Sequence, residues 1–359
     1  MGKGKDVEIR ILLHLLKGSS GNHVSFAGVN VDRLFRLADM HKVNYLLLLF
    51  ARQHPDIFSK KQFENLGDRC RQNAQRSLIQ LHELTRIAKG LNEAGIGYVC
   101  VKGPQLARMI YGREALKESV DLDIMLAHAR DLHAVHGIIS GLGYTRSNLD
   151  DYRTPFKRRI FLIAQREVHY FNRETQCAID LHVRPGANTY LTASRFRYIL
   201  SRVAQIDLEG TVIPVFPDEA YFVYLCYHGS LHQFSRLAWL MDIRAFLRMK
   251  QPVLDFVKLL ALANELRIER SVYLVMHLLQ QYFGDEIPRV ISQQLPHNAR
   301  FRYLIRVCTN IAGMDPGYWM TFRGRTEKVV YIMLLMKGIV AKIDWLSGIF
   351  MRFVVKRFI

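Results

Sequence analysis

The spacing of apolar residues divides the chain into three regions. Over residues 5–93 apolar positions recur at helical spacing and predict helices at Val31–Leu37, His41–Gln53 and Gln72–Leu91. From residue 94 to about residue 216 the pattern changes to short alternating or continuous apolar runs. The helical period then returns at Pro217 and persists almost to Ile359. We therefore expect three regions, with boundaries at 1–93, 94–216 and 217–359.

The middle region has the features of a small sheet with few helices. A helix is predicted over Ala129–Leu142, because Gly143 follows it as a helix stop would. Strands are predicted at 96–101, 121–127, 159–164, 167–171, 178–183 and 211–215. The expected fold class is α+β, with a small mixed β-sheet flanked by N-terminal and C-terminal helical regions.

The run Val120–Leu126 places two acidic residues inside an apolar strand. Side chains alternate between the faces of a strand, so Asp121 and Asp123 share one face, whereas Leu122, Ile124 and Leu126 face the core. Two buried like charges are costly unless a cation lies between them. The pair therefore indicates a divalent metal site, with Mg²⁺ or Mn²⁺ favoured by oxygen ligands. The alternative is a solvated strand end.

Two neighbouring segments extend this candidate site. A glycine stands between a strand and a helix in Lys102-Gly103-Pro104, where it lets the backbone approach a phosphate. Downstream, the run 178–183 places Asp180 and His182 on one face of a strand. Asp180 could thus supply a third carboxylate, although pairing with an arginine is an ordinary alternative. His182 could orient Asp180, contact substrate or play a structural role.

These motifs, in their order along the chain, resemble the uncharacterised nucleotidyltransferase family of the polymerase-beta-like superfamily. The motifs are Lys102-Gly103-Pro104, Tyr111-Gly112, the pair Asp121 and Asp123, and Asp180-Leu181-His182. Leu37–Val43 upstream and His228–Asp242 downstream extend the resemblance over roughly residues 25–250. One departure is Lys117, which stands where such sequences often carry arginine and which lacks its two-pronged phosphate contact.

The resemblance implies a nucleotidyltransferase core that moves a nucleoside monophosphate from an NTP to an acceptor. Asp121, Asp123 and Asp180 would be the catalytic residues and would hold Mg²⁺ or Mn²⁺. The acceptor, a small molecule, a saccharide or a protein, is left open. The nucleotide-binding residues would be Lys102, Gly103, Lys117, Ser119, His182, Arg236 and Asp242.

Composition adds a strong positive charge. The chain has 50 Lys and Arg against 32 Asp and Glu, a net charge of +18, which suits phosphate-bearing partners without choosing among nucleotide, nucleic acid and anionic membrane. The five cysteines contain no C-x-x-C pair, so we expect reduced thiols and a cytoplasmic protein. The N-terminal segment lacks the features of a secretion signal, and three charges interrupt the apolar run Val329–Ile349.

Three features leave alternatives open. His228 and His232 have the spacing of a two-histidine zinc site but lack a third ligand nearby, so a helix lining the nucleotide cleft or a core helix is preferred. Lys157-Arg158-Arg159 marks a solvated loop or the rim of the site. Residues 322–359 are basic and aromatic and would lie on an anionic membrane, or would dock on the core of the protein or on a partner. A catalytically silent fold that binds nucleic acid, a membrane or a protein is the alternative function.

Overall fold

The structure, a computed structural model, describes residues 7–17, 28–113, 116–146, 167–183, 199–200, 202–311 and 321–358. The strands are β1 Tyr98–Lys102, β2 Asp121–Leu126, β3 Thr145–Arg146, β4 Glu167–Asn172, β5 Cys177–His182, β6 Ala204–Leu208 and β7 Thr211–Val215. The helices are α1 Val7–Lys17, α2 Val31–His41, α3 Asn44–Gln53, α4 Lys60–Glu93, α5 Pro104–Tyr111, α6 Leu132–Gly141, α7 Asp218–Leu231, α8 Leu237–Lys250, α9 Phe256–Glu265, α10 Glu269–Phe283, α11 Arg289–Ser292, α12 Ala299–Ile311, α13 Phe322–Leu335 and α14 Ile339–Phe358.

The chain forms two compact units, each assembled from separated stretches of sequence. One unit comprises Met1–Gln75, Leu116–Glu118 and Phe222–Met336, and within its described residues the regular elements are helices. The other comprises Arg76–Ala115, Ser119–Tyr221 and Lys337–Ile359 and contains the strands. We call them the helical unit and the sheet unit. The division along the chain at residues 93 and 216 stays a prediction.

The sheet unit contains a five-stranded sheet in the order β1-β2-β5-β4-β3 and a β6-β7 hairpin. β2 and β5 pair in parallel, whereas the other neighbours are antiparallel. The sheet is therefore mixed, and the predicted α+β class with helical regions on both sides in sequence is confirmed. Because β2 and β5 are separated by β3 and β4 in sequence, their pairing brings together residues more than fifty positions apart.

One face of the five-stranded sheet carries the core of this unit. Ile124, Val168, Ile179 and Leu181 are completely buried there. The C-terminal half of α4 contributes Ile87, Ala88 and Leu91, and α6 contributes Val135 and Ile139, all equally buried. α4 and α6 approach closely at Gly90, where an added Cβ would lie 2.8 Å from Ile138 Cγ2. This apolar face leaves the polar residues of the same strands on the opposite face.

The elements differ from their predicted bounds in a few places. α4 begins at Lys60, twelve residues before the predicted start, because Ser59 and Gln62 form a capping box with bonds of 3.0 and 3.3 Å. The first turns of α4 are polar, so the apolar period did not reveal them. β3 and β6 were not predicted, since two residues or a mixed pattern give little signal. The predicted strand 159–164 lies outside the described residues.

Candidate metal and nucleotide site

Three carboxylates converge on the polar face of the sheet. Asp123 on β2 and Asp180 on β5 are register partners in the parallel pair, and Asp121 lies two residues earlier on the same face of β2. One oxygen of each carboxylate lies within 4.8 Å of the other two. The convergence that the alternation predicted is confirmed, while the metal-binding and catalytic roles stay predictions.

Asp123 is the most enclosed of the three and contacts two basic side chains. Its side chain is 5 % exposed, and its Oδ2 lies 3.0 Å from Lys102 Nζ. His182 Nε2 lies 2.9 Å from its Oδ1. Two predicted nucleotide-binding residues therefore contact a carboxylate of the candidate metal centre.

A register irregularity in β1 places Lys102 on this face. Tyr98 to Cys100 pair antiparallel with Leu126 to Ile124, and continuing that register would set Lys102 opposite Leu122 on the apolar face. Instead the register shifts between Cys100 and Lys102, and Lys102 becomes the partner of Asp123. A bulge of this kind changes the face that a side chain occupies. It therefore brings a cation to the carboxylates.

β4 contributes two further residues that the sequence analysis missed. His169 is the register partner of Asp180, and its Nδ1 lies 2.5 Å from Asp180 Oδ1. Glu167 is the register partner of His182. Its Oε2 lies 3.5 Å from His182 Nδ1, and its Oε1 lies 3.7 Å from His169 Nε2. The alternation of β4 was visible in the sequence, but it does not reveal which strand β4 pairs with.

The pKa values of three side chains in the cluster, Asp121, His169 and His182, are raised. Burial, the neighbouring Asp123 and the neighbouring Asp180 raise the pKa of Asp121 to about 7, against the opposing effect of Lys102. The hydrogen bond to Asp180 raises the pKa of His169 above its ordinary value. For His182 burial is the largest single effect and lowers the pKa, but the hydrogen bond to Asp123 and the negative charges of Asp123 and Glu167 together outweigh it, so the pKa is raised. The negative charge at Asp121 is thus incompletely compensated.

This donor set fits a hard divalent cation. The three converging side chains offer only carboxylate oxygens, which are the ligands that Mg²⁺ and Mn²⁺ prefer. Burial and the two neighbouring carboxylates disfavour the negative form of Asp121, and a cation near it would stabilise that form. Asp121, Asp123 and Asp180 are therefore the residues that would hold the metal.

Gly103 links β1 to α5 in a conformation that other residues avoid. Its φ is 118° and its ψ is −155°, and Pro104 occupies the first turn of α5. An added Cβ would lie 3.1 Å from Gln105 Oε1 and 3.8 Å from the Asp121 carbonyl oxygen. The glycine is therefore needed mainly for its backbone conformation at the point where α5 begins. Gly103 lies at the N-terminus of a helix, and its predicted phosphate contact stays a prediction.

Comparison with models of protein families identifies the family of this chain. The family model described as "Uncharacterised nucleotidyltransferase" matches residues 27–284, well over half of the chain. The chain belongs to this uncharacterised nucleotidyltransferase family. No curated protein matches it in sequence.

In this nucleotidyltransferase family member, Ser119 has a structural contact within the sheet unit. Its Oγ donates a hydrogen bond of 3.0 Å to the Asp121 carbonyl oxygen, and its own carbonyl oxygen accepts one of 3.5 Å from Gln80 Nε2. These contacts fix the backbone immediately before β2. The predicted role of Ser119 in binding nucleotide stays a prediction.

Three of the predicted nucleotide-binding residues lie in the helical unit. Lys117 and Asp242 form a buried ion pair there, with side chains 9 % and 6 % exposed. Arg236 is exposed and its guanidinium carbon lies 5.3 Å from the ring centre of Trp239. The charge of Lys117 is thus balanced by Asp242 within its own unit. The nucleotide-binding roles of these three residues stay predictions.

His228 on α7 and His232 just past its end belong to an aromatic cluster of the helical unit. The rings of His228 and His232 are 4.8 Å apart, and both contact the ring of Trp239, at 5.5 and 5.2 Å. Among the described residues, the acidic triad is the one group of three or more ligand side chains close enough to hold a metal, and these histidines are not part of it. The run Lys157-Arg158-Arg159 lies outside the described residues.

Proposed function

We propose that this protein is a Mg²⁺-dependent nucleotidyltransferase that moves a nucleoside monophosphate from an NTP to an acceptor hydroxyl or phosphate. The acceptor oxygen forms a bond to the α-phosphorus, the bond between that phosphorus and the bridging oxygen of the β-phosphate breaks, and pyrophosphate leaves. The observation that carries the proposal is the convergence of Asp121, Asp123 and Asp180 in a member of a nucleotidyltransferase family.

Asp121 and Asp123, with Asp180 as a third oxygen ligand, would hold the cation, and Mn²⁺ could substitute for Mg²⁺. When bound, such a cation neutralises the triphosphate and stabilises the charge that develops during displacement. Lys102 and His182 hold the carboxylate of Asp123 from two sides, which limits its rotation. Fixed ligands of this kind need little rearrangement on binding.

Asp180 would orient the acceptor and take the proton that its hydroxyl releases. A register partner, His169, donates a hydrogen bond to Asp180 Oδ1 and thereby fixes which carboxylate oxygen remains available. Glu167 lies close to the other nitrogen of His169 and so fixes the orientation of the imidazole ring. His169 is thus a positioning residue in this proposal.

Lys102 and the N-terminus of α5 would receive the phosphates. Lys102 Nζ is 3.0 Å from Asp123, so its charge is already next to the carboxylates that would hold the cation. The backbone after Gly103 begins a helix, whose first N–H groups and positive dipole end favour an anion. Charge that develops on the leaving pyrophosphate would be stabilised by these groups.

The test is label transfer from each of the four NTPs, labelled at the α-phosphate, with Mg²⁺ and a panel of acceptors that includes saccharides, phosphorylated small molecules and proteins. We expect one nucleotide and one acceptor class to give labelled product together with pyrophosphate. Asp123→Asn should abolish both signals. Asp207→Asn is the matched control, since Asp207 is an exposed residue of β6 outside the acidic cluster.

The same preparations separate turnover from binding. Binding of Mg²⁺ and NTP without pyrophosphate release across the whole panel would argue for the catalytically silent alternative. Equal activity of Asp123→Asn and the unmodified protein would overturn the assignment of the site.

A further inference from the structure

The C-terminal helix α14 exposes a row of large apolar side chains. Ile339, Ile343, Leu346 and Phe350 are 68 %, 58 %, 47 % and 64 % exposed. They are separated by four, three and four residues, which places them along one face of a helix. We call these four residues the apolar stripe. Single exposed apolar residues are common, but a continuous row on one helix marks a contact surface.

The opposite face of α14 is buried in the protein. Ala341 and Trp345 are 2 % and 7 % exposed, and at 100° per residue they lie well away from the direction of the stripe. The helix is therefore docked through one face and presents the other to its surroundings. Packing within the sheet unit cannot account for the apolar character of the exposed face.

The positive charge of this segment indicates which class of partner it suits. Residues 337–359 contain one acidic residue, Asp344, against five basic residues, Lys337, Lys342, Arg352, Lys356 and Arg357. A basic helix with large aliphatic and aromatic residues on one face suits an interface between anionic headgroups and acyl chains. None of the helices in the described part of the chain has the length and apolarity needed to cross a bilayer.

We propose that α14 binds peripherally to an anionic lipid surface, with the apolar stripe inserted at the boundary of headgroups and acyl chains. The basic residues provide attraction to the headgroups and the stripe provides apolar burial. α14 lies beyond residue 284, where the match to the nucleotidyltransferase family ends, so the contact is an addition to the family's matched region. The inference is independent of the proposed catalytic activity.

The experiment is flotation of the full-length protein with vesicles of phosphatidylcholine alone or of phosphatidylcholine mixed with phosphatidylglycerol. We expect the protein to float with the mixed vesicles and to remain unbound with phosphatidylcholine. Raising the salt from about 0.1 M to about 1 M shortens the screening length to about 3 Å and should weaken binding severalfold.

Two double variants separate the stripe from general surface hydrophobicity. Ile343→Ser with Leu346→Ser should weaken binding to mixed vesicles by about tenfold or more, because two inserted side chains are lost. Val253→Ser with Val257→Ser is the matched control, since these valines are 67 % and 66 % exposed but lie in the helical unit. The control should bind like the unmodified protein, and thermal unfolding should verify that both variants fold.

A charge variant tests the electrostatic contribution to binding independently. Lys342→Glu should weaken binding to mixed vesicles, and this effect should disappear at high salt. The proposal is overturned if binding is equal for both vesicle types, or if the stripe variant floats as well as its control. It is also overturned if the unmodified protein is oligomeric and the stripe variant is monomeric, because the stripe would then join two copies of the chain.

Discussion

Asp123 and Asp180 are register partners on the parallel strands β2 and β5, so their carboxylates lie side by side on the polar face of the sheet. Each is held by a different set of basic groups, Lys102 and His182 for Asp123 and His169 for Asp180. Within the described part of the chain, Asp121 makes no hydrogen bond or ion pair of this kind. Burial and the two neighbouring carboxylates raise its pKa to about 7. The three carboxylates should therefore respond differently to substitution.

The first prediction concerns the stability of the metal-free protein. Asp121→Asn should raise the free energy of unfolding by about 1 kcal/mol or more at pH 8, because it removes a poorly compensated charge. Asp123→Asn should lower it, because Lys102 and His182 lose a charged partner. Denaturant unfolding in the presence of a chelator measures both values. Equal effects of the two substitutions would contradict the assignment of contacts.

The second prediction is a pH dependence of metal-free stability. The folded protein keeps a proton on Asp121 up to about pH 7, whereas the unfolded chain releases it near pH 4. The free energy of unfolding should therefore fall as the pH rises from about 4 to about 7. The raised pKa values of His169 and His182 act in the same direction, but only above about pH 6.5, where the unfolded chain releases their protons and the folded protein still holds them. Thermal unfolding over this range should show a smaller slope for Asp121→Asn.

Metal binding should show the reverse preference for pH. Protons compete with a cation for Asp121, so Mg²⁺ should raise the melting temperature more at pH 8 than at pH 6. A Mg²⁺ effect independent of pH would place the cation away from Asp121.

The third prediction tests His169 as a positioning residue. His169→Ala should lower kcat about tenfold or more, because Asp180 loses the hydrogen bond that orients it. His169→Asn should recover part of the rate, since its amide can donate in a similar place. His133→Ala is the control, because His133 is exposed on α6. If the two His169 variants are equally slow, orientation through this hydrogen bond is the wrong explanation.

The fourth prediction concerns the ion pair between Lys117 and Asp242. Lys117→Ala should cost roughly 3 kcal/mol of unfolding free energy, because it leaves a buried carboxylate without its partner. The double variant Lys117→Ala with Asp242→Ala should cost less than the sum of the single variants. Lys117→Arg should retain the pair and keep nucleotide affinity, measured by titration with NTP. Additive costs in the cycle would show that the two side chains do not interact.

The fifth prediction compares two glycines with positive φ. Gly103→Ala should destabilise the protein by about 1–3 kcal/mol and weaken NTP binding, because its backbone conformation and the nearby Gln105 oppose a Cβ. Gly112→Ala is the matched control, since its φ of 69° ends α5 in open space. Its cost should be about 1 kcal/mol with unchanged NTP affinity. Equal losses of affinity would remove Gly103 from the phosphate site.

The sequence by itself determined which residues share a face of each strand. Alternation in β2 and β5 separated Asp121, Asp123, Asp180 and His182 from the apolar core, since side chains of a strand point alternately to opposite faces. The change of period also indicated the α+β class, because helices and strands bury their apolar residues at different spacings.

Only the tertiary structure decided which strands are neighbours and in what register. The parallel pairing of β2 with β5 sets Asp180 next to Asp123, and the pairing of β4 with β5 brings His169 and Glu167 into the cluster. The bulge in β1 turns Lys102 towards Asp123. Strand order and bulges depend on how distant segments pack together, and the local alternation of a strand carries no information about the partner on either side.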